Sequence, residues 1–296
     1  MIILLMIFII LLHIKNILLY HPTISNSCKY DKFYCKLLNL CETTDHINNH
    51  QIKTRDNILL DAVSIKNPGS DKYIIFFHGN AGNLSMRFDM IKFLYNYASV
   101  LIFDYRSFGK SSGDSSNLSS RNLLIDADAV WNFVVKELKI NANCVSFFGE
   151  SLGCSVAIAL ASKLSKEMNN NNYPHSLILN SPFYSLGSMI EHLFDKFNGG
   201  ILGKGISFFL GREYPTFEWI KYINHQTKII IAHSPRDEII PYQQGWKLYS
   251  TISATHPSIQ FININGTHNN IEHGRTCSAE QNRKFSLLQE TRSKKT

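Results

Sequence analysis

Short apolar runs separated by polar or glycine-rich turns recur through the middle of this chain. Residues 73–77, 100–103, 144–148, 176–180 and 229–232 are dominated by Ile, Leu, Val and Phe. Continuous runs of that length predict strands buried on both faces, as in a mostly parallel sheet. The stretch 259–264 predicts a further strand. Between the runs, Leu124, Ala127, Val130, Val134 and Leu138 fall at helical spacing over 123–138, which predicts a helix covering the sheet. Another helix is expected from Leu84 to about Tyr97. An antiparallel pair, around 52–54 and 58–63 with a turn at Asp56-Asn57, opens the pattern. Strand and helix thus alternate, and 296 residues suffice for one large α/β domain. The expected fold is a doubly wound, mostly parallel sheet of about eight strands. No internal repeat is present, and the asparagine run at 169–172 reads as a polar surface insertion.

The turns that end these strands carry the candidate chemistry. Gly149-Glu150-Ser151-Leu152-Gly153 follows an apolar run and precedes a helical one. Glycines at both flanks permit a very sharp strand-to-helix turn that lifts the serine hydroxyl above the sheet edge. A serine needs a base to become a nucleophile, and the base needs an orienting acid. The run 229–232 leads into His233-Ser234-Pro235-Arg236-Asp237-Glu238, where Asp237 is the chosen acid and Glu238 and Asp195 are rivals. The run 259–264 leads into Asn265-Gly266-Thr267-His268, where His268 is the chosen base and His273 an alternative. Residues 73–77 open into His78-Gly79-Asn80-Ala81-Gly82-Asn83. That loop, with the amides of Asn80 and Leu152, could supply the donors an acyl-transfer oxyanion requires. His78 reads as a brace of its loop rather than a base.

Together, the segments His78 to Asn83, Asp104-Tyr105-Arg106-Ser107-Phe108-Gly109-Lys110-Ser111-Ser112-Gly113, Gly149 to Gly153 and Gly266 to Asn269 resemble the α/β-hydrolase superfamily. The likeness is to its serine hydrolases, and within them to the Bem-type, membrane-anchored branch of α/β-hydrolase-domain acyl hydrolases. It spans roughly residues 50–272. It implies an α/β-hydrolase fold, a Ser151, Asp237, His268 triad in that chain order, and an oxyanion hole at Asn80 and Leu152. It also implies cleavage of an ester or thioester, with no metal or organic cofactor. Two departures stand out. Ser107 replaces the glycine usual in that segment, and Cys154 follows the elbow where glycine is common.

The aromatic-rich stretch at about 183–223 lies where such enzymes insert a cap, so Phe183 and Tyr184 are candidate substrate-binding residues. Most of its other aromatics read as ordinary helix packing. Met1 to Leu12 is wholly apolar and the run extends, with breaks at His13, Lys15 and Asn16, to Tyr20. That is marginal against the ~20 residues of a spanning helix. Residues 1–20 read as a membrane anchor, with a cleaved signal segment as the alternative, and residues 21–49 as a connector. The hydrolase domain is expected over 50–275 and a basic tail over 276–296. Lysines at 15, 29, 32 and 36 favour a cytoplasmic catalytic domain, and a glycan on Asn265 would block His268. The cysteines, including the cluster Cys28, Cys35 and Cys41, fit no zinc spacing. A net charge of +7 without a basic aromatic stripe excludes an obvious nucleic-acid partner and fits anionic lipid. A silent membrane-tethered scaffold and a peptidase of the same fold are the alternative functions.

Overall fold

The computed structural model describes residues 19–23, 46–167, 172–195, 204–207 and 212–268. Eight strands form the central sheet: β1 (Ile47–Lys53), β2 (Leu59–Ile65), β3 (Tyr73–Phe77), β4 (Ser99–Phe103), β5 (Val145–Glu150), β6 (Ser176–Asn180), β7 (Lys228–His233) and β8 (Ile259–Asn263). Their order across the sheet is β8-β7-β6-β5-β3-β4-β2-β1. β1 runs antiparallel to β2, and β2 antiparallel to β4, while every other neighbouring pair is parallel. The inner strands β3, β4 and β6 bury all five of their residues, which is why they read as unbroken apolar runs. β1, at one edge, is exposed at most of its positions.

The chain leaves β3 toward β4 on one side, then returns to place β5 on the other. The loops after β3 and β5 therefore leave the same end of the sheet on opposite sides of this switch, where open α/β sheets place their sites. Helices cover both faces. α1 (Phe88–Tyr95) buries Met90, Ile91 and Leu94 in one core. α2 (Ser120–Asn132) and α3 (Leu152–Lys166) supply Leu123, Val130, Val156 and Leu160 to the other. That second core also takes Leu248 and Ile252 of α4 (Tyr242–Ile252). Trp131 meets Phe147 edge-on at 5.4 Å between centroids, joining α2 to β5.

Two helices differ from expectation. The stretch 84–97 is a 3-10 turn at Leu84–Met86, followed by α1, with a break at Arg87. Asn83 caps the turn by accepting from Ser85 N, while Arg87 leaves helical geometry at ψ 23°. The expected helix at 123–138 begins earlier, at a Ser119 cap that accepts from Asn122 N, and ends in a wide π-type turn over Phe133–Glu137. Both departures come from local hydrogen bonding that apolar spacing does not encode.

The proposed anchor meets the described residues only at its last two positions, and those belong to the folded domain. Tyr20 is buried, its hydroxyl 2.8 Å from that of Tyr214, and Leu19 packs against the same core. Residues 1–18 lie outside the described residues. So do most of the expected connector, the Asn169–Asn171 part of the polar insertion, His273, the basic tail and four of the six cysteines. Among the described residues, no helix is long and apolar enough to cross a membrane. Cys144 and Cys154 are free thiols.

Candidate active site

The turn after β5 has the shape its sequence requires. Ser151 sits at φ 53°, ψ −117°, in the left-handed region, and immediately precedes α3. A side chain at Gly149 would place its Cβ 2.6 Å from Cys154 Cα, and one at Gly153 only 2.0 Å from the carbonyl oxygen of Phe77. Both flanking glycines are thus required by close backbone approach, the first within the turn and the second between α3 and β3. Ser151 N donates to Asn180 O at 2.9 Å, tying the strained residue to β6. The two departures from the family pattern fall at constrained positions. Ser107 occupies a left-handed φ of 66°, the conformation for which glycine is preferred. Cys154 is fully buried, and its thiol donates to the carbonyls of Gly149 and Asn180 at 3.2 Å each.

Ser151, His268 and Asp237 come together. His268 Nε2 lies 3.2 Å from Ser151 Oγ, and His268 Nδ1 lies 2.8 and 3.0 Å from the two carboxylate oxygens of Asp237. A carboxylate can only accept, so Nδ1 carries the proton and Nε2 presents a lone pair to the serine hydroxyl. The Asp237 side chain is fully buried. Burial pushes its carboxyl up, but His233, His268 and the amide of Ile240 outweigh that and hold it well below the usual carboxylate range. The rivals fall elsewhere. Glu238 accepts from the backbone amide of His268 at 3.0 Å, bracing the histidine loop from outside, and Asp195 is exposed at the end of a helix, Leu186–Asp195.

One neighbour carried no signal in the sequence beyond its place at a strand end. His233, the last residue of β7, is fully buried. Its Nε2–H donates to Ile240 O at 2.9 Å and lies 3.5 Å from Asp237 Oδ2. The acid therefore sits between two imidazoles. Ser234 Oγ donates to Gly266 O at 2.5 Å and Ile264 N to His233 O at 3.1 Å, so the acid and base loops are bonded to each other.

His78 braces its loop, as the sequence indicates. It is fully buried, its Nδ1–H donates to Gly79 O at 2.7 Å, and Nε2 lies 3.6 Å from Asp104 Oδ1. Burial, helped by the charge of Arg87, lowers the His78 imidazole to about 3. Burial likewise pushes the Asp104 carboxyl up to about 8, with Asp61 adding to the effect. Burial thus disfavours the charged form of both groups beneath the loop. Asn80 is the third residue of the loop after β3, and Leu152 begins the helix after Ser151. Gly79 approaches the elbow so closely that an added Cβ would be 3.6 Å from Ser151 Cβ. Phe183 is buried, edge-on to Tyr214 at 6.2 Å, and Tyr184 stacks on Phe217 at 4.7 Å. Neither ring has a described contact with Ser151. No group of three or more potential metal-ligating side chains converges among the described residues.

An eight-stranded, mostly parallel sheet with a glycine-flanked serine elbow defines an α/β-hydrolase of the serine-hydrolase type. Residues 2–199 match the model of the steryl acetyl hydrolase family, and the chain belongs to that family. The match includes the elbow and ends before Asp237 and His268. Protein R595 of Acanthamoeba polyphaga mimivirus is 52% identical over 260 residues, covering 88% of each chain. The lysophosphatidylserine lipase ABHD12 of Bos taurus is 30% identical over 217 residues, or 68% of this chain and 50% of that one. Bem46 of Schizosaccharomyces pombe is 29% identical over 66% of this chain and 62% of its own length. Among solved structures, the esterase Pf2001 of Pyrococcus furiosus superposes with a TM-score of 0.64, covering 91% of this chain and 96% of that one at 20% identity. That last likeness is one of fold.

Proposed function

We propose that this chain hydrolyses a carboxylic ester of an apolar, lipid-like substrate, using Ser151 as nucleophile, His268 as general base and Asp237 as the orienting acid. The observation that carries the reading is the unbroken succession from Ser151 Oγ through His268 to the buried carboxylate of Asp237. As the hydroxyl attacks the carbonyl, its proton passes to His268 Nε2, and Asp237 stabilises the resulting imidazolium. The amides of Asn80 and Leu152 receive the oxyanion. His268 then returns the proton to the leaving alcohol, and water, deprotonated by the same imidazole, releases the acyl group from Ser151. A thioester would follow the same steps. Phe183 and Tyr184 would line the acyl side, and the largely apolar residues 1–18 would keep the enzyme at a lipid surface. The family's description favours a second substrate reading, an acetyl ester on a sterol-like alcohol.

Fluorophosphonate labelling of the full chain tests the mechanism. Wild type should label at one site, and Ser151→Ala should not label; labelling that survives this substitution would place the nucleophile elsewhere. A folded wild type that never labels would favour the silent scaffold. Turnover of lysophospholipids, a sterol acetate, acyl thioesters and aminoacyl amides then separates the substrate classes. A preference for acetyl over long acyl chains would favour the second, sterol-acetate reading, and one for aminoacyl amides would make the protein a peptidase.

A further inference from the structure

We propose that the segment Tyr20–Thr23 is a strap that positions the oxyanion loop, making the N-terminal residues part of the catalytic apparatus. This rests on the serine-hydrolase reading above. The loop Gly79–Asn83 lies beyond the sheet proper and contains two glycines, with Gly82 at φ 79°. A loop of that composition holds an amide in one orientation only if its peptide planes are fixed from outside.

Four successive carbonyls of the loop are held. Gly79 O accepts from His78 Nδ1 at 2.7 Å, Asn80 O from His21 N at 2.8 Å, Ala81 O from Arg87 Nη2 at 2.6 Å, and Gly82 O from Thr23 N at 3.2 Å. Half of these restraints come from the strap, which pairs in parallel with the loop, His21 beside Ala81 and Pro22 beside Gly82. The bonding is reciprocal, since Thr23 O accepts from Asn83 Nδ2 at 3.0 Å and from Gly109 N at 3.2 Å. The strap itself is pinned by the buried Tyr20, whose hydroxyl meets that of Tyr214 at 2.8 Å. Each peptide plane has its N–H opposite its C=O. The plane that carries the Asn80 N–H is held at Gly79 O by His78, and the strap's bond to Asn80 O fixes the adjoining plane, so the strap acts on the proposed oxyanion donor by limiting rotation about Asn80.

The test uses backbone chemistry in the full-length chain. His21→Pro removes the N–H that holds Asn80 O, whereas His21→Ala removes the side chain and keeps that N–H. Loss of an oxyanion donor outright lowers kcat by about 10²–10³-fold, so a loosened donor should lower it by roughly tenfold. The expectation is a roughly tenfold lower kcat for His21→Pro with KM nearly unchanged, since the bond acts on charge developed in the transition state. Fluorophosphonate labelling should slow in parallel yet still reach completion at Ser151. His21→Ala, which keeps the backbone N–H, is the reference for the proline variant, and its kcat should exceed that of His21→Pro by roughly tenfold. If His21→Pro does not fold, Thr23→Pro, which removes only the bond to Gly82 O, carries the same expectation. Equal kcat and labelling rates for the proline and alanine variants would overturn the strap's role while leaving the hydrolase reading intact. A wild type that never labels would overturn the hydrolase reading, and the strap proposal with it.

Discussion

Gly153→Ala is the sharpest test of how this site is built, because one methyl group there acts on both halves of it. The new Cβ would lie 2.0 Å from Phe77 O, 2.5 Å from Phe77 C and 2.6 Å from His78 O. Contacts below 3.0 Å do not persist, so α3 and the end of β3 must separate by about 1 Å, and all three opposing atoms are backbone that no rotamer can move. Overpacking commonly costs about 1–3 kcal/mol. With the central strand as the obstacle we take the upper end, about 3 kcal/mol. In a domain of this size each kcal/mol lowers the midpoint by about 2–4 °C, giving a fall of roughly 6–12 °C. The separation also moves Ser151, at the head of α3, away from the loop that continues from Phe77. A misplacement of about 1 Å can reduce turnover by about 100-fold. Thermal unfolding followed by circular dichroism and ester turnover below the transition measure the two effects. Gly205→Ala is the control, since no atom lies within 4 Å of its Cβ position. A Gly153→Ala protein with the midpoint and kcat/KM of the control would refute the claim that this contact sets the elbow.

Two further outcomes follow from buried carboxyls. Asp237→Asn replaces a group that only accepts from His268 Nδ1 with one that can also donate, so the imidazole is free to adopt the wrong tautomer; kcat should fall by about 10⁴-fold with an unchanged fold, and a loss under tenfold in steady-state kinetics would remove Asp237 from its role. For Asp104 the folded value is about 8 against an ordinary 3.8, so its contribution to stability is full below about 3.8 and is lost as pH rises through about 8. Asp104→Asn cannot titrate, and the difference in urea midpoint between wild type and variant should shift against wild type across that window. A difference that stays constant with pH would show that the carboxyl is ionised in the folded state.

The parts of this molecule that were legible in the sequence are those in which local residue choice is forced by burial or by backbone geometry. β3, β4 and β6 read correctly because both faces of each are buried, leaving no polar position to blur the run. The elbow read correctly because Gly149 and Gly153 have no room for a Cβ. Ser107 was visible as an oddity for a similar reason, a side chain placed at positive φ. Chain order singled out Ser151, Asp237 and His268, but their meeting joins loops 117 residues apart in the sequence. What stayed hidden depends on partners remote in sequence and on backbone atoms, which carry no residue-type signature. Tyr20 looks like the end of an apolar segment, and nothing near it announces a hydroxyl 194 residues away. His21 N–H holding Asn80 O would be the same bond for any residue except proline, so no side-chain pattern can report it. His233 reads as the polar end of a strand, and only the turn that returns Asp237 and Ile240 to it reveals a second imidazole on the acid. In this fold the side chains that converge at the candidate site can be read along the chain, whereas the backbone contacts that position them appear only in three dimensions.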